Sequence, residues 1–307
     1  MLEETKIFRR ATLASIITSS YPMIVVGCYF GITPWNMNRL SIDETDLSFS
    51  ILIFGIFFVL SNQIAGRILV PKYGTKLVMS LAFPVITFST LLSIISSSYF
   101  YFLLTFIPAG IGWGASGPIG GIHCQLIEKH FKKIITPYYA MGFNIGILVG
   151  GGLAGIIMRY SFEPFMFFLV LSFSSILVAL LVLYLGLPSN LDFKGKGEKF
   201  KIPESNVLIF GFLLFFVFGS GGIIMDWSTL WLSKDLNTPL YLASMGLIFF
   251  SIGGILANLF SNSLIDLFTE KVVGCHFVMI GASIMLLSLL TNNFYIILGV
   301  LCIYGFA

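Results

Sequence analysis

The chain has 307 residues, of which 57% are apolar and only 10% charged, with a mean hydropathy of +0.97 and a formal net charge of +3. Soluble domains carry about 25% charged residues, and a soluble fold of this size could not hide so much apolar surface. This excludes a disordered chain, a collagen, a disulfide mini-protein and a nucleic-acid binder, and leaves an all-α polytopic membrane protein whose first partner is the lipid bilayer.

A membrane span needs about 20 mostly apolar residues, because each adds about 1.5 Å across a hydrocarbon core of about 30 Å. Nine complete runs qualify, at roughly 13–33, 47–66, 77–96, 99–122, 138–158, 164–187, 207–232, 240–262 and 272–291. The first has no small-residue cleavage site and is too long for a signal-peptide core, so it reads as a retained helix. A tenth run begins near Phe294 and reaches Ala307. As a helix it rises only about 21 Å, so the chain is expected to be a fragment, or a product cut short, in about its tenth transmembrane helix.

Lysine and arginine set the orientation. Fourteen of them fall in alternate loops on one side, from Lys6, Arg9 and Arg10 to Lys271, and three on the other, Arg39, Arg159 and Lys234. The N-terminus is therefore expected in the cytoplasm. The polar stretch Pro188–Asn206 reads as a cytoplasmic linker whose charges, Asp192 among them, are expected to solvate it. It divides an N-terminal six-helix half (1–187) from an incomplete C-terminal half (207–307).

Glycines at spacings of three or four mark the fourth span (Gly110, Gly114, Gly117, Gly121) and the fifth (Gly142, Gly146, Gly150). Such stripes let helix backbones touch, either for static packing or for sliding. The seventh span contains Gly219-Ser220-Gly221-Gly222, where a bend or break is expected. Cys28, Cys124, Cys275 and Cys302 lie far apart, with no C-x-x-C, and read as small core residues.

An acidic group within a span is costly. Asp226 is the one carboxylate that qualifies, about 10 Å from the midplane by helical rise. It reads either as an interfacial residue beside Trp227 and Trp231 or as a cavity carboxylate for a proton, a cation or a polar solute. Trp113, Asn144, Tyr29 and Asn36 are the other candidate solute-binding residues, since amides and hydroxyls orient a small molecule and aromatic faces stack on it. His123 reads as a structural histidine or a proton relay. There is no H-E-x-x-H, Walker loop or G-x-S-x-G, so no enzyme, metal or cofactor is expected.

Two stretches carry a family resemblance. Gly66-Arg67-Ile68-Leu69-Val70-Pro71-Lys72-Tyr73-Gly74-Thr75-Lys76 resembles the G-x-L-x-D-R-x-G-R-R signature of the major facilitator superfamily, with Lys72, Gly74 and Lys76 in matching places. Pro71 stands where that signature has its acidic residue, which predicts loss of the usual charge lock. Asp226-Trp227-Ser228-Thr229-Leu230-Trp231-Leu232 resembles the D-W-S-x-x-Y-L segment of a bacterial permease branch near the fucose-permease type. Asn38-Arg39-Leu40 and Asp43–Leu47 resemble its first outer loop, and Gln125 with Glu128 its junction between the fourth and fifth helices. The resemblance implies two six-helix halves that rock about a central site, a gating loop at Gly66, Arg67, Lys72, Gly74 and Lys76, and a cytoplasmic mouth at Gln125 and Glu128. The whole reads as a cell-membrane secondary transporter of a small polar solute, monomeric at full length and driven by an ion gradient or by the solute's own gradient; if it is a proton symporter, Asp226 is the first candidate to carry the proton. The alternatives are a non-transporting permease remnant and a multi-spanning membrane enzyme.

Overall fold

A computed structural model describes residues 2–193, 204–269 and 272–307, and among these every regular element is helical. The lysine-rich stretch from Lys194 to Lys201, and Lys271, lie outside the described residues. The helices are α1 (Leu2–Gly31), α2 (Thr33–Leu40), α3 (Glu44–Ile64), α4 (Val70–Tyr73), α5 (Thr75–Ile95), α6 (Tyr99–Phe131), α7 (Thr136–Arg159), α8 (Pro164–Leu185), α9 (Ser205–Lys234), α10 (Leu240–Ala243), α11 (Met245–Phe268), α12 (Val278–Ser288) and α13 (Phe294–Phe306). Helices prevail because hydrocarbon offers no water to bond backbone N–H and C=O groups, and a helix satisfies both within one segment. Among the described residues, eight helical segments are long and apolar enough to cross a membrane. The ninth apolar run forms only the shorter helix Val273–Ser288, because the chain turns at Leu289 and Leu290.

Two expectations are corrected. The 66–76 segment is not an open loop: a π-helical turn, Ala65–Leu69, carries α3 into α4, and Gly74 alone breaks the path to α5. Pro71 has no N–H to donate and crowds the preceding turn. The wider turn, with Val70 N–H bonded to the Ala65 carbonyl, accommodates it. Second, α9 runs unbroken through Gly219–Gly222, since freeing backbone groups within lipid costs more than the low helix propensity of glycine.

The chain forms two compact units. One comprises Met1–Val25, Asn36–Phe143 and Glu163–Lys199. Its core joins Ala14, Ala65, Val78, Met79, Phe83, Ile119 and Val182. Short polar bonds tie its helices: Tyr21 donates to the Leu171 carbonyl at 2.5 Å, and Ser172 to the Thr87 carbonyl at 3.0 Å. Glycines bring α6 onto α3, where a Cβ at Gly110 would lie 2.5 Å from the Phe54 carbonyl oxygen.

The other unit comprises Val26–Trp35, Asn144–Phe162 and Phe200–Ala307. Its core joins Ile224, Leu232, Ala243, Ile297, Leu298 and Leu301. Here α11 and α13 meet backbone to backbone: a Cβ on Gly253 would strike the Cys302 carbonyl, and one on Gly305 the Phe250 carbonyl. The last turns of α1 belong to this unit because Gly27 and Gly31 admit Ile147 and Ala154 of α7.

Candidate functional site

Asp226 stands on α9 where the helix turns from an exposed stretch to a packed one. Ile224, Ser228, Thr229, Leu230 and Leu232 are buried around it, while Asp226 and Trp227 are half-buried. No hydrogen-bond or ion-pair partner of Asp226 occurs among the described residues. The hydroxyls of Ser228 and Thr229, and of Ser251 on α11, are buried without a bonded neighbour. Trp231 packs on the Ile224–Leu232 core.

Asn144, on α7, lies in the same unit. Its carboxamide rests on Gly254 of α11, where an added Cβ would lie 2.5 Å from the Oδ1 atom and 2.8 Å from Nδ2. Only glycine lets α11 approach so closely. Tyr29 is buried in this unit, its ring centroid 6.0 Å from that of Phe30. The unit thus holds four of the six candidate solute-binding residues: Tyr29, Asn144, Asp226 and Trp227.

Trp113 and Asn36 belong to the other unit. Trp113 is half-buried on α6. Asn36 is buried, and its Oδ1 accepts from Arg39 Nη2 at 2.8 Å and Nε at 3.2 Å. Arg39 also donates to the carbonyls of Ser96, at 2.5 Å, and Ser93, at 3.2 Å. The guanidinium thereby satisfies the carbonyls at the end of α5, where the helix dipole favours a cation. Asn36 holds that fork in place.

At the basic end, the residues of the expected gating loop are spread over α4, the π turn and the start of α5. A Cβ on Gly66 would meet nothing within 4 Å. Arg67 is half-buried, and exposed Lys72 has its Nζ 5.0 Å from the Tyr73 ring centroid. Gly74 adopts φ 84°, ψ 163°, a backbone closed to most side chains. The Lys76 stem lies against Gly186, where a Cβ would be 3.2 Å away.

Glu128 and Gln125 separate in role. Glu128 Oε1 accepts the Ile135 and Thr136 N–H groups, both at 2.7 Å, and the Thr136 hydroxyl at 2.9 Å. It caps the start of α7, whose first N–H groups have no acceptor in their own helix. Gln125 is exposed on α6. The expectation that Asp192 merely solvates a linker is corrected: it is buried and bonded to the first residues of α5. Among the described residues no three His, Cys, Asp or Glu side chains converge to hold a metal.

The profile of the Major Facilitator Superfamily matches residues 12–307. An uncharacterized MFS-type transporter of Yersinia pestis is 23% identical over 240 residues, covering 76% of this chain and 61% of that protein. The chain thus spans about three fifths of the length of this curated relative. Two solved structures share the fold. The nucleoside transporter NupG superposes with a TM-score of 0.67 at 14% identity, over 96% of this chain and 79% of that one. A bacterial homolog of the human lysosomal transporter Spinster, inward-facing and occupied, gives 0.62 at 14% identity, over 96% and 70%. With the profile covering nearly its whole length, the chain belongs to the Major Facilitator Superfamily.

Proposed function

We propose that the protein is a secondary active transporter, carrying a small polar solute across the cell membrane by alternating access and drawing on a proton gradient through Asp226. One observation carries this reading: a half-buried carboxylate within a span, with no partner among the described residues. An acidic group costs about 2.5–3.5 kcal/mol at the bilayer centre on insertion scales and less toward the interface, and binding a proton or a solute offsets it. Tyr29, Asn144 and Trp227 supply a hydroxyl, an amide and an aromatic face, and Asn36 and Trp113 complete the candidate set. That chemistry suits a sugar or a nucleoside, and the likeness to a nucleoside transporter fits the second. The Asp226–Leu232 segment favours a place near the fucose-permease type. The halves 1–187 and 207–307 rock about the linker 188–206, with the gate at Gly66–Lys76, Gln125 and Glu128. The excess of Lys and Arg in alternate loops of the sequence favours an N-terminus in the cytoplasm. The monomer is the working unit.

The test uses the full-length protein in proteoliposomes loaded with a pH-sensitive dye and offered a panel of monosaccharides and nucleosides. The wild type is expected to acidify the lumen when one of them enters. Asp226→Asn should abolish that signal at normal reconstitution, and Asp226→Glu should keep part of it. Solute-driven proton entry at the wild-type rate in Asp226→Asn would refute the assignment.

A further inference from the structure

The path from α4 to α5 turns at Gly74, which has no side chain to cap α5. The first N–H groups of a helix need outside acceptors. Asp192 supplies them from seven residues past the end of α8. Its Oδ1 accepts the Thr75 N–H at 3.0 Å and the Thr75 hydroxyl at 2.6 Å, and its Oδ2 accepts the Lys76 N–H at 3.3 Å. Its Oδ1 also accepts the N–H of Phe193 at 2.7 Å. A Cβ on Gly74 would lie 2.5 Å from Oδ2, so the glycine makes room for the carboxylate as well as the turn.

The bonds continue inward. Thr75 Oγ1 lies 2.7 Å from His123 Nδ1, and the Leu187 N–H points to His123 Nε2 at 3.5 Å. Thr75 has one hydroxyl proton and gives it to Asp192, so His123 donates from Nδ1 and accepts at Nε2. The result is a directed chain, Leu187 N–H to His123 to Thr75 to Asp192, in which Thr75 and His123 are wholly buried. It fastens both ends of the segment 187–192 to α5 and α6.

We propose that Asp192 is the positioning residue of the gate at this end: it supplies, from the segment after α8, the acidic group that Pro71 displaces from the 66–76 stretch, and acts as a latch that opens during the transport cycle. In calling this end a gate, the inference rests on the proposed function.

The test is a distance measurement between nitroxides at Tyr73→Cys and Ser189→Cys, both exposed positions. It uses the full-length protein, in lipid bilayers, with its native cysteines changed to serine. A latch that cycles gives two populations, one at the distance of this structure and one longer and broader. Asp192→Asn should move the ratio toward the longer population by about tenfold, the change expected when bonds to a charged acceptor are weakened. Asp192→Glu should recover part of it. Thr75→Val leaves both backbone N–H bonds to Asp192, breaks the link to His123, and should shift the ratio in the same direction. A single distance in the wild type, unchanged in Asp192→Asn, overturns the latch. If that variant does not fold, an unchanged single distance in Thr75→Val overturns it equally. The measurement needs no solute, so its failure is separate from failure of the proton-entry assay: a single, unchanged distance in a chain that moves solute overturns the latch alone.

Discussion

Two glycines on one face of α6 make opposite predictions for the same substitution. At Gly114 an added methyl would strike the Phe58 carbonyl oxygen and lie 2.9 Å from Ser61 Cβ. At Gly117 it would meet nothing within 4 Å. Alanine favours a helix over glycine by about 1 kcal/mol, and Gly117→Ala should gain about that much. Gly114→Ala gains it too, but α3 must withdraw by about 1 Å, and such overpacking costs about 1–3 kcal/mol. Withdrawal also strains the bond from Ser61 to the Ile111 carbonyl, now 2.7 Å, and interhelical bonds in membranes average about 0.6 kcal/mol. The two variants should therefore differ by about 2–3 kcal/mol, with Gly114→Ala the weaker. Reversible unfolding of the full-length protein in mixed micelles, followed by far-UV circular dichroism, reads the difference. Equal stabilities, or a more stable Gly114→Ala, would refute the reasoning that backbone contact sets the packing of α3 on α6.

Gly254→Ala should push the Asn144 carboxamide from its seat and raise the KM for solute while expression holds; an unchanged KM removes Asn144 from the solute site. Arg39→Lys loses the two-sided fork on Asn36 and the end of α5 and should destabilise the fold by about 1–2 kcal/mol, seen as a lowered Tm in detergent; an unchanged Tm contradicts the capping role. Glu128→Ala leaves the N–H groups of Ile135 and Thr136 without their acceptor and should cost about 1 kcal/mol. Hydrogen exchange at those two amides should quicken, more in Glu128→Ala than in Glu128→Gln, and equal rates in both would deny the charge a part.

Eight of the nine complete spans were legible because apolar length decides them; the ninth run forms only the shorter helix Val273–Ser288. Their ends were not: α6 runs to Phe131, beyond the apolar run, because Glu128 and the left-handed backbone at Lys132 set its end. The π turn before Pro71 left no mark in hydropathy, since it changes hydrogen bonding and not polarity. The arrangement of Asn36 could have been read from its spacing to Arg39, three residues on and so on the same helix face. Asp192 could not. It stands among lysines in a polar stretch, and its distant partners include backbone N–H groups 116 and 117 residues away. Backbone acceptor demand is invisible in residue types. Asp226 stood out because a carboxylate in an apolar run is rare; that it has no partner among the described residues emerged only from the fold.

Alternating access is tested most directly by asking from which side one interior position can be reached. Trp113→Cys, as the single cysteine of the full-length protein, would be probed with an impermeant maleimide in right-side-out and inside-out vesicles. Alternating access predicts labelling from both sides, with saturating solute raising one rate and lowering the other. Labelling from one side only, indifferent to solute, would contradict it.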